Sequence, residues 1–401
     1  MERRGDEPGD RAPDLRDGDR LDDPRDKGPP NIYGEEFDGI LRPLVFVPGM
    51  FGTTIKLADN TRTLWPPLYV SQGEFRIKAN LRALYDSTVP KQIGQAVPVV
   101  YAALEQHLES LRGEVNFFPF WYDWTQSNAV TGAQLAAEIA RILSLPRYLG
   151  RFDQVDLVCH SMGGLVTRAA SILNGAGPRI RRTAYLASPH WGAPKAYFVL
   201  HPEVSWELIE DWIIGFLAER AWDRFRERDE EEDLTPAICE LCRNIPSTWE
   251  LLPDRWYFEK KVVVTETRLT GPDPIEGWQA TYTAARCAFP QPQHGRVRDA
   301  MRFKEQLGGT LPGAPQNILV VASGNQETED IIEYDVGLVV NGFEDPEASS
   351  PSNGDGTVPF LSASLDRTAP NLYGVNGEHV ALVNDRRVLD KLTVFLQSPP
   401  E

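Results

Sequence analysis

Ser161 stands in the run Cys159-His160-Ser161-Met162-Gly163-Gly164. A serine hydroxyl is a weak nucleophile until a neighbouring base takes its proton, and an imidazole base needs an acid to hold it in the useful tautomer. The apolar stretch Val155 to Cys159 ahead of it reads as a buried strand, and Leu165, Val166, Ala169 and Ile172 behind it read as one face of a helix. A serine at such a strand-to-helix turn is lifted out of the sheet, with the free N–H groups and favourable dipole of a helix N-terminus beside it. Crowding at the turn demands small neighbours. The pattern G-x-S-x-G holds except that Cys159 replaces its first Gly, and Cys is small enough for the turn to close.

The base is expected at His379, in Gly377-Glu378-His379-Val380 just ahead of a C-terminal helix. His201 and His294 fall in an irregular middle segment and are expected to face solvent. His190 follows a strand and is expected to line the site, and His160 is expected to pack inside the turn. For the acid, Asp355 lies in the Gly-flanked run Asn353-Gly354-Asp355-Gly356-Thr357-Val358-Pro359, where small neighbours let the backbone approach closely. Asp330 and Asp335 are rivals, because they sit nearer the preceding strand. An oxyanion needs two N–H donors. Met162, directly after the serine, supplies one, and Met50 in Pro48-Gly49-Met50-Phe51-Gly52 is the choice for the other. Phe51 beside it is a candidate substrate contact.

These parts need a scaffold. Leu44 to Val47, Val115 to Phe120, Val155 to Cys159, Thr183 to Ala187 and Asn317 to Val321 read as short buried strands. Between them, Tyr101, Leu104, Leu108 and Leu111 share one helical face. Thr131 and Gln134 read as a capping box before Leu135, Ile139 and Ile142. A terminal helix from Asn384 turns Val388, Leu392 and Phe395 inward. Strands alternating with helices predict a parallel α/β sheet. The alternation stops between Ala187 and Asn317. There Trp206, Ile209, Ile213 and Phe216 share a broad apolar face, so this segment is expected to form a helical cap, with Ile213 and Phe216 as substrate contacts. The division expected is a charged, disordered tail over 1–35, a core over 41–200 and 313–398, and the cap over 201–312.

The 401 residues carry 58 acidic and 41 basic side chains, a formal net charge of −17. That balance argues against nucleic-acid binding, which needs a basic footprint. No apolar run approaches the length of a membrane helix, and the N-terminal sequence MERRGDEPGD has no apolar signal-like region. Four cysteines do not make a disulfide framework in so long a chain. Cys239 and Cys242 form a lone CxxC without further ligands at zinc spacing, so no metal is expected. The composition points to a reduced, cytoplasmic protein.

Seven segments together resemble the lecithin:cholesterol acyltransferase-like family of α/β-hydrolases. They are FVPGMFGTTIKL at 46–57, YDW at 122–124, HSMGG at 160–164, ASPHWGAPKA at 187–196, NIPSTWELLP at 244–253, NGDGTVP at 353–359 and GEHVALVND at 377–385. They follow the family's order, and the GDGTVP and EHV pieces are the most specific. The resemblance implies an α/β-hydrolase fold, a mostly parallel central sheet flanked by helices with a helical cap insertion. It implies Ser161, Asp355 and His379 as the triad and Met50 and Met162 as oxyanion donors. It also implies that acyl groups of lipid esters are cleaved or moved to an alcohol. Secreted animal members carry an early disulfide in a lipid-binding excursion. Residues 56–100 here contain no Cys, so that excursion is reduced or held differently, and Trp65 is expected in the core.

The expected function is therefore a serine-dependent lipid acyl hydrolase or O-acyltransferase that works through an acyl-serine, without cofactor, in transient contact with a membrane. Two other readings compete. One is a soluble carboxylesterase for small non-lipid esters, told apart by activity on short esters alone. The other is a non-catalytic binding protein that keeps the fold, told apart by a serine that takes no active-site label. A further variant of the lipid reading is a membrane-damaging phospholipase whose charged tail binds a partner.

Overall fold

The computed structural model describes residues 36–37, 39–66, 77–200, 235–261, 289, 291–329, 332–333, 347–348 and 351–398. The tail over 1–35 and the aromatic segment with Ile213 and Phe216 lie outside the described residues, as do His201, Asp330 and Asp335.

Strand β1 is Leu44–Val47, and a small antiparallel sheet follows it, made of β2 Thr53–Leu57, β3 Thr63–Trp65 and β4 Lys91–Ala96. Helix α1 is Ile77–Tyr85, α2 is Pro98–Arg112 and β5 is Phe117–Pro119. Next come α3 Asn128–Leu143, β6 Val155–His160, α4 Gly163–Ile172 and β7 Ile180–Leu186. After α5 Lys195–Leu200, helices α6 Thr235–Asn244, α7 Pro246–Trp249, α8 Arg255–Lys261 and α9 His294–Leu307 lead to β8 Ile318–Ser323. The last elements used below are β9 Leu372–Val375 and α10 Arg386–Gln397.

Six strands form one sheet in the order β9-β8-β7-β6-β1-β5, every pair parallel. The sequence explains why. Every residue of β1, β6 and β8 is buried, the mark of a strand covered by helices on both faces. The helices show the complementary stripe: Tyr101, Leu104 and Leu108 on α2, Leu135, Ile139 and Ile142 on α3, and Val388, Leu392 and Phe395 on α10 are buried. The described part of the 201–312 segment adds Ile238, Leu241, Trp249, Tyr257, Val297 and Met301 to the same continuous core. Trp65 belongs to that core too, at 2% exposure.

Two local expectations are corrected. Helix α3 does not begin at a Thr131–Gln134 capping box. Its N-cap is Ser127, whose hydroxyl accepts from Ala129 N, and Thr131 lies buried inside the helix. The reason is tertiary: Glu250 reaches across to accept from Ser127 Oγ and Asn128 N, each at 2.6 Å, so a distant carboxyl satisfies the free first-turn donor. The terminal helix begins at Arg386 rather than Asn384. Asp385 caps it by accepting from Arg387 N, and a short 3₁₀ turn over Ala381–Asn384 precedes it.

Candidate active site

The carboxyl ends of β1, β6 and β7 lie side by side, and the residues just past them, Phe51, Ser161 and Ala187, all have positive φ, at 60°, 53° and 49°. Such angles are strained for residues with a side chain and persist where the surroundings over-determine them. At Ser161 the cause is visible. Its N–H donates to Leu186 O on β7 at 2.9 Å, and its own carbonyl accepts from Gly164 N as α4 starts. A Cβ at Gly163 would collide with the carbonyl oxygens of Val47 and Pro48, and one at Gly49 would sit 2.8 Å from Ser161 Cβ. The loop after β1 therefore presses directly on the serine turn, and only glycines allow it. Cys159, in place of the usual Gly, is fully buried and donates its thiol to Ala184 O.

Ser161 Oγ lies 2.9 Å from His379 Nε2, and His379 Nδ1 lies 2.7 Å from Asp355 Oδ2. All three side chains are buried, with exposures of 8% for Ser161, 4% for His379 and 2% for Asp355. The other oxygen of Asp355, Oδ1, accepts from the N–H groups of Thr357 at 3.0 Å and Val358 at 2.7 Å. Two carboxylate–amide bonds on one oxygen leave Oδ2 as the acceptor for the imidazole. Nδ1 then carries the proton and Nε2 is free to accept from the serine hydroxyl. The Asp355 loop is itself anchored: Lys195 Nζ donates to Gly356 O at 2.9 Å, and Gly356 N donates to Thr328 Oγ1 at 2.8 Å.

Met162 N directly follows the serine, and Met50 N lies in the loop after β1. Among the described residues neither donates to a backbone carbonyl. The Met50 loop is clamped by aromatic side chains. Tyr122 O–H donates to Pro48 O at 2.8 Å, Trp65 Nε1–H donates to Phe51 O at 2.8 Å, and Gly49 N–H donates to the Tyr101 hydroxyl at 2.9 Å. The Phe51 side chain packs into that cluster, its ring centroid 4.6 Å from Trp65 and 4.7 Å from Trp124. These bonds fix the backbone of the loop that holds Met50.

The remaining histidines fall elsewhere. His190 is fully buried, edge-on to the Tyr185 ring, and burial drives its pKa well below the ordinary value. Neither of its ring nitrogens finds a hydrogen-bond partner among the described residues. Its carbonyl holds the 187–193 loop by accepting from Arg168 Nη1 at 2.8 Å and Lys304 Nζ at 3.2 Å. His294 does not face open solvent; it starts α9 half-buried, with Nε2 against Phe289 O. His160 is packed inside the turn as expected, but it is also hydrogen-bonded at both ring nitrogens. Sequence reasoning passed over Tyr101 and Lys195. The available signal was a tyrosine on a helix face otherwise Leu-lined, since a buried phenol needs a partner for its O–H. Cys159, Cys239 and Cys242 are free and buried.

Residues 79–212 match the PGAP1-like alpha/beta domain family. That span includes Ser161 and ends before Asp355 and His379. No curated protein matches the chain. Among solved structures, that of the Tle4-Tli4 complex is similar over 89% of this chain and 98% of that one, with 15% identity and a TM-score of 0.53. The mature lipase BlEst2 of Bacillus licheniformis aligns over 90% of this chain and 95% of its own, at 14% identity and a TM-score of 0.33. EstA from Clostridium botulinum aligns over 89% and 87%, at 12% identity and a TM-score of 0.37. The parallel sheet with its flanking and inserted helices is an α/β-hydrolase fold.

Proposed function

We propose that this protein is a serine-dependent acyl hydrolase or O-acyltransferase acting on a lipid ester through an acyl-serine intermediate. The observation that carries the chemistry is the continuous hydrogen-bond line from Ser161 Oγ through His379 to Asp355, at 2.9 and 2.7 Å. In this reading Ser161 Oγ attacks the ester carbonyl carbon while its proton passes to His379 Nε2. The carbonyl π pair moves onto oxygen, held by the N–H groups of Met50 and Met162. Collapse breaks the bond to the leaving alcohol, which takes the proton from His379. Water or a second alcohol, deprotonated by His379, then releases the acyl group and restores the serine. Asp355 keeps Nδ1–H in place and stabilises the imidazolium formed at each half-step.

The lipid assignment rests on the seven segments that resemble the lecithin:cholesterol acyltransferase-like family, whose most specific pieces hold Asp355 and His379. Phe51, Ile213 and Phe216 are the proposed contacts to the acyl chain, the last two from a cap over 201–312. The protein is proposed to work in the cytoplasm, with transient contact at a lipid surface. Among the described residues no helix is long and apolar enough to cross a membrane.

The test is mass spectrometry of products after incubation with a mixed lipid extract, with and without added alcohols. Fatty acid released from a defined lipid class, diverted to a new ester when alcohol is added, supports the reading. Turnover of short esters alone, with every lipid untouched, overturns the lipid assignment in favour of a small-ester carboxylesterase.

A further inference from the structure

Beneath Ser161 runs a second line of hydrogen bonds, and it touches neither the serine hydroxyl nor the carboxylate. Gly49 N–H donates to the Tyr101 hydroxyl at 2.9 Å. The Tyr101 hydroxyl is 2.7 Å from His160 Nδ1. His160 Nε2 is 3.1 Å from the carbonyl oxygen of His379. A carbonyl can only accept, so Nε2 of His160 carries the hydrogen. Burial keeps this imidazole neutral, so Nδ1 is an acceptor and Tyr101 donates to it. Every bond in the line then runs in one direction, from the loop after β1 to the backbone of His379, and each N–H and O–H in it has an acceptor.

We propose that Tyr101 and His160 are positioning residues that set the distance between the oxyanion side and the base side of the site. This rests on the acyl-serine reading and adds a role for two residues outside the triad. Gly49 directly precedes Met50, the proposed oxyanion donor, and the other end of the line is the backbone of the base itself. The two loops belong to different parts of the chain, and His160 is next to the nucleophile. Both relay side chains are fully buried, with the Tyr101 ring edge-on to Phe46 and the two histidine rings 4.8 Å apart. The line is therefore shielded from water, where aligned hydrogen bonds reinforce one another and an orphaned partner is costly. Neutrality of His160 has its own consequence. A cation so close to His379 would oppose the imidazolium that forms there during each half-step.

The experiment compares wild type with Tyr101→Phe, His160→Phe and His160→Gln. Three readouts are taken: melting temperature, kcat and KM on a soluble aryl ester, and the rate of Ser161 phosphonylation by a fluorophosphonate. Glutamine keeps an amide N–H that can reach the His379 carbonyl, whereas phenylalanine keeps only the ring. For a displacement of the order of an ångström, kcat and phosphonylation should fall about 10- to 100-fold in Tyr101→Phe at unchanged KM. His160→Gln should recover part of the loss seen in His160→Phe. Rates equal to wild type in the folded variants, or losses that only track the unfolded fraction, would overturn the relay. Because the phenylalanine variant at His160 can fail to fold, nitrogen NMR of histidine-labelled wild type is a second check. It should show a neutral His160 protonated at Nε2, and the opposite tautomer or an imidazolium would refute the proposed direction. If wild type itself takes no label at Ser161, the acyl-serine reading fails rather than the relay.

Discussion

His379 and Asp355 hold each other twice. The imidazole Nδ1 lies 2.7 Å from Asp355 Oδ2, and the His379 backbone N–H donates to the Asp355 carbonyl at 2.8 Å. Backbone and side chain thus fix the pair as one unit, which leaves Nε2 aimed at Ser161 without freedom to swing away.

Asp355→Asn should break that unit chemically while keeping its shape. An amide at this position favours the wrong imidazole tautomer, which in a comparable serine–histidine–aspartate site costs roughly 10⁴ in kcat. Steady-state turnover of a soluble ester measures it, with Asp330→Asn and Asp335→Asn expected to stay near wild type. A greater loss in either of those would move the acid off Asp355.

Gly163→Ala should cost both stability and activity, because the added methyl meets two backbone oxygens of the β1 loop rather than a side chain that could turn away. Overpacking of this kind costs about 1–3 kcal/mol. Gly374→Ala is the control, since a Cβ there meets nothing within 4 Å. Thermal melts should separate the two, and equal melting temperatures would mean the elbow is looser than its contacts imply.

Between about pH 5 and 7.5 Glu250 should lower stability as pH rises, opposing the buried His160 and His190, whose lowered values make stability rise with pH up to about 6.5. Burial pushes its carboxyl up from 4.5 to about 7, against the bonds from Ser127 and Asn128 that favour the charged form. A carboxyl with a higher pKa folded than unfolded lends stability that is complete below its unfolded value and is lost as pH passes its folded one. Asp254, raised by burial to about 6, acts in the same direction at lower pH. Lys304, lowered by burial to about 8, acts above this window, where stability recovers as pH rises from about 8. Glu250→Gln should remove this falling contribution, so its melting temperature should gain on that of wild type as pH rises from about 5 to about 7.5. An unchanged slope would mean that Glu250 is charged throughout.

The site's centre was legible in the sequence because its signals are local. A serine between a buried strand and a helix, an aspartate between two glycines and a histidine before the last helix each announce themselves within a few residues. The central sheet was legible for the same reason, since buried parallel strands read as continuous apolar runs. What was not legible depends on partners far away in the chain. Glu250 moves the start of α3 from 122 residues downstream of Asn128, and His160 meets His379 across 219. The small antiparallel sheet was missed as well. Its strand β4 is largely polar, KQIGQA, and follows no clean alternation.

Polar replacements at Ile213 and Phe216 should depress activity on long acyl esters more than on acetyl esters. An apolar contact gains about 0.8 kcal/mol per buried methylene, so loss of the contact grows with chain length. A homologous series of aryl esters measures this. Equal losses along the series, with a lower melting temperature, would assign these side chains to packing alone.

The most direct measurement is the site of covalent modification by a fluorophosphonate, read by intact mass and peptide mapping. A single adduct on Ser161, absent from Ser161→Ala and slowed in Asp355→Asn, is the expected result. An adduct on another serine, or one that persists at full stoichiometry in Ser161→Ala, would contradict the assignment of Ser161 as the nucleophile.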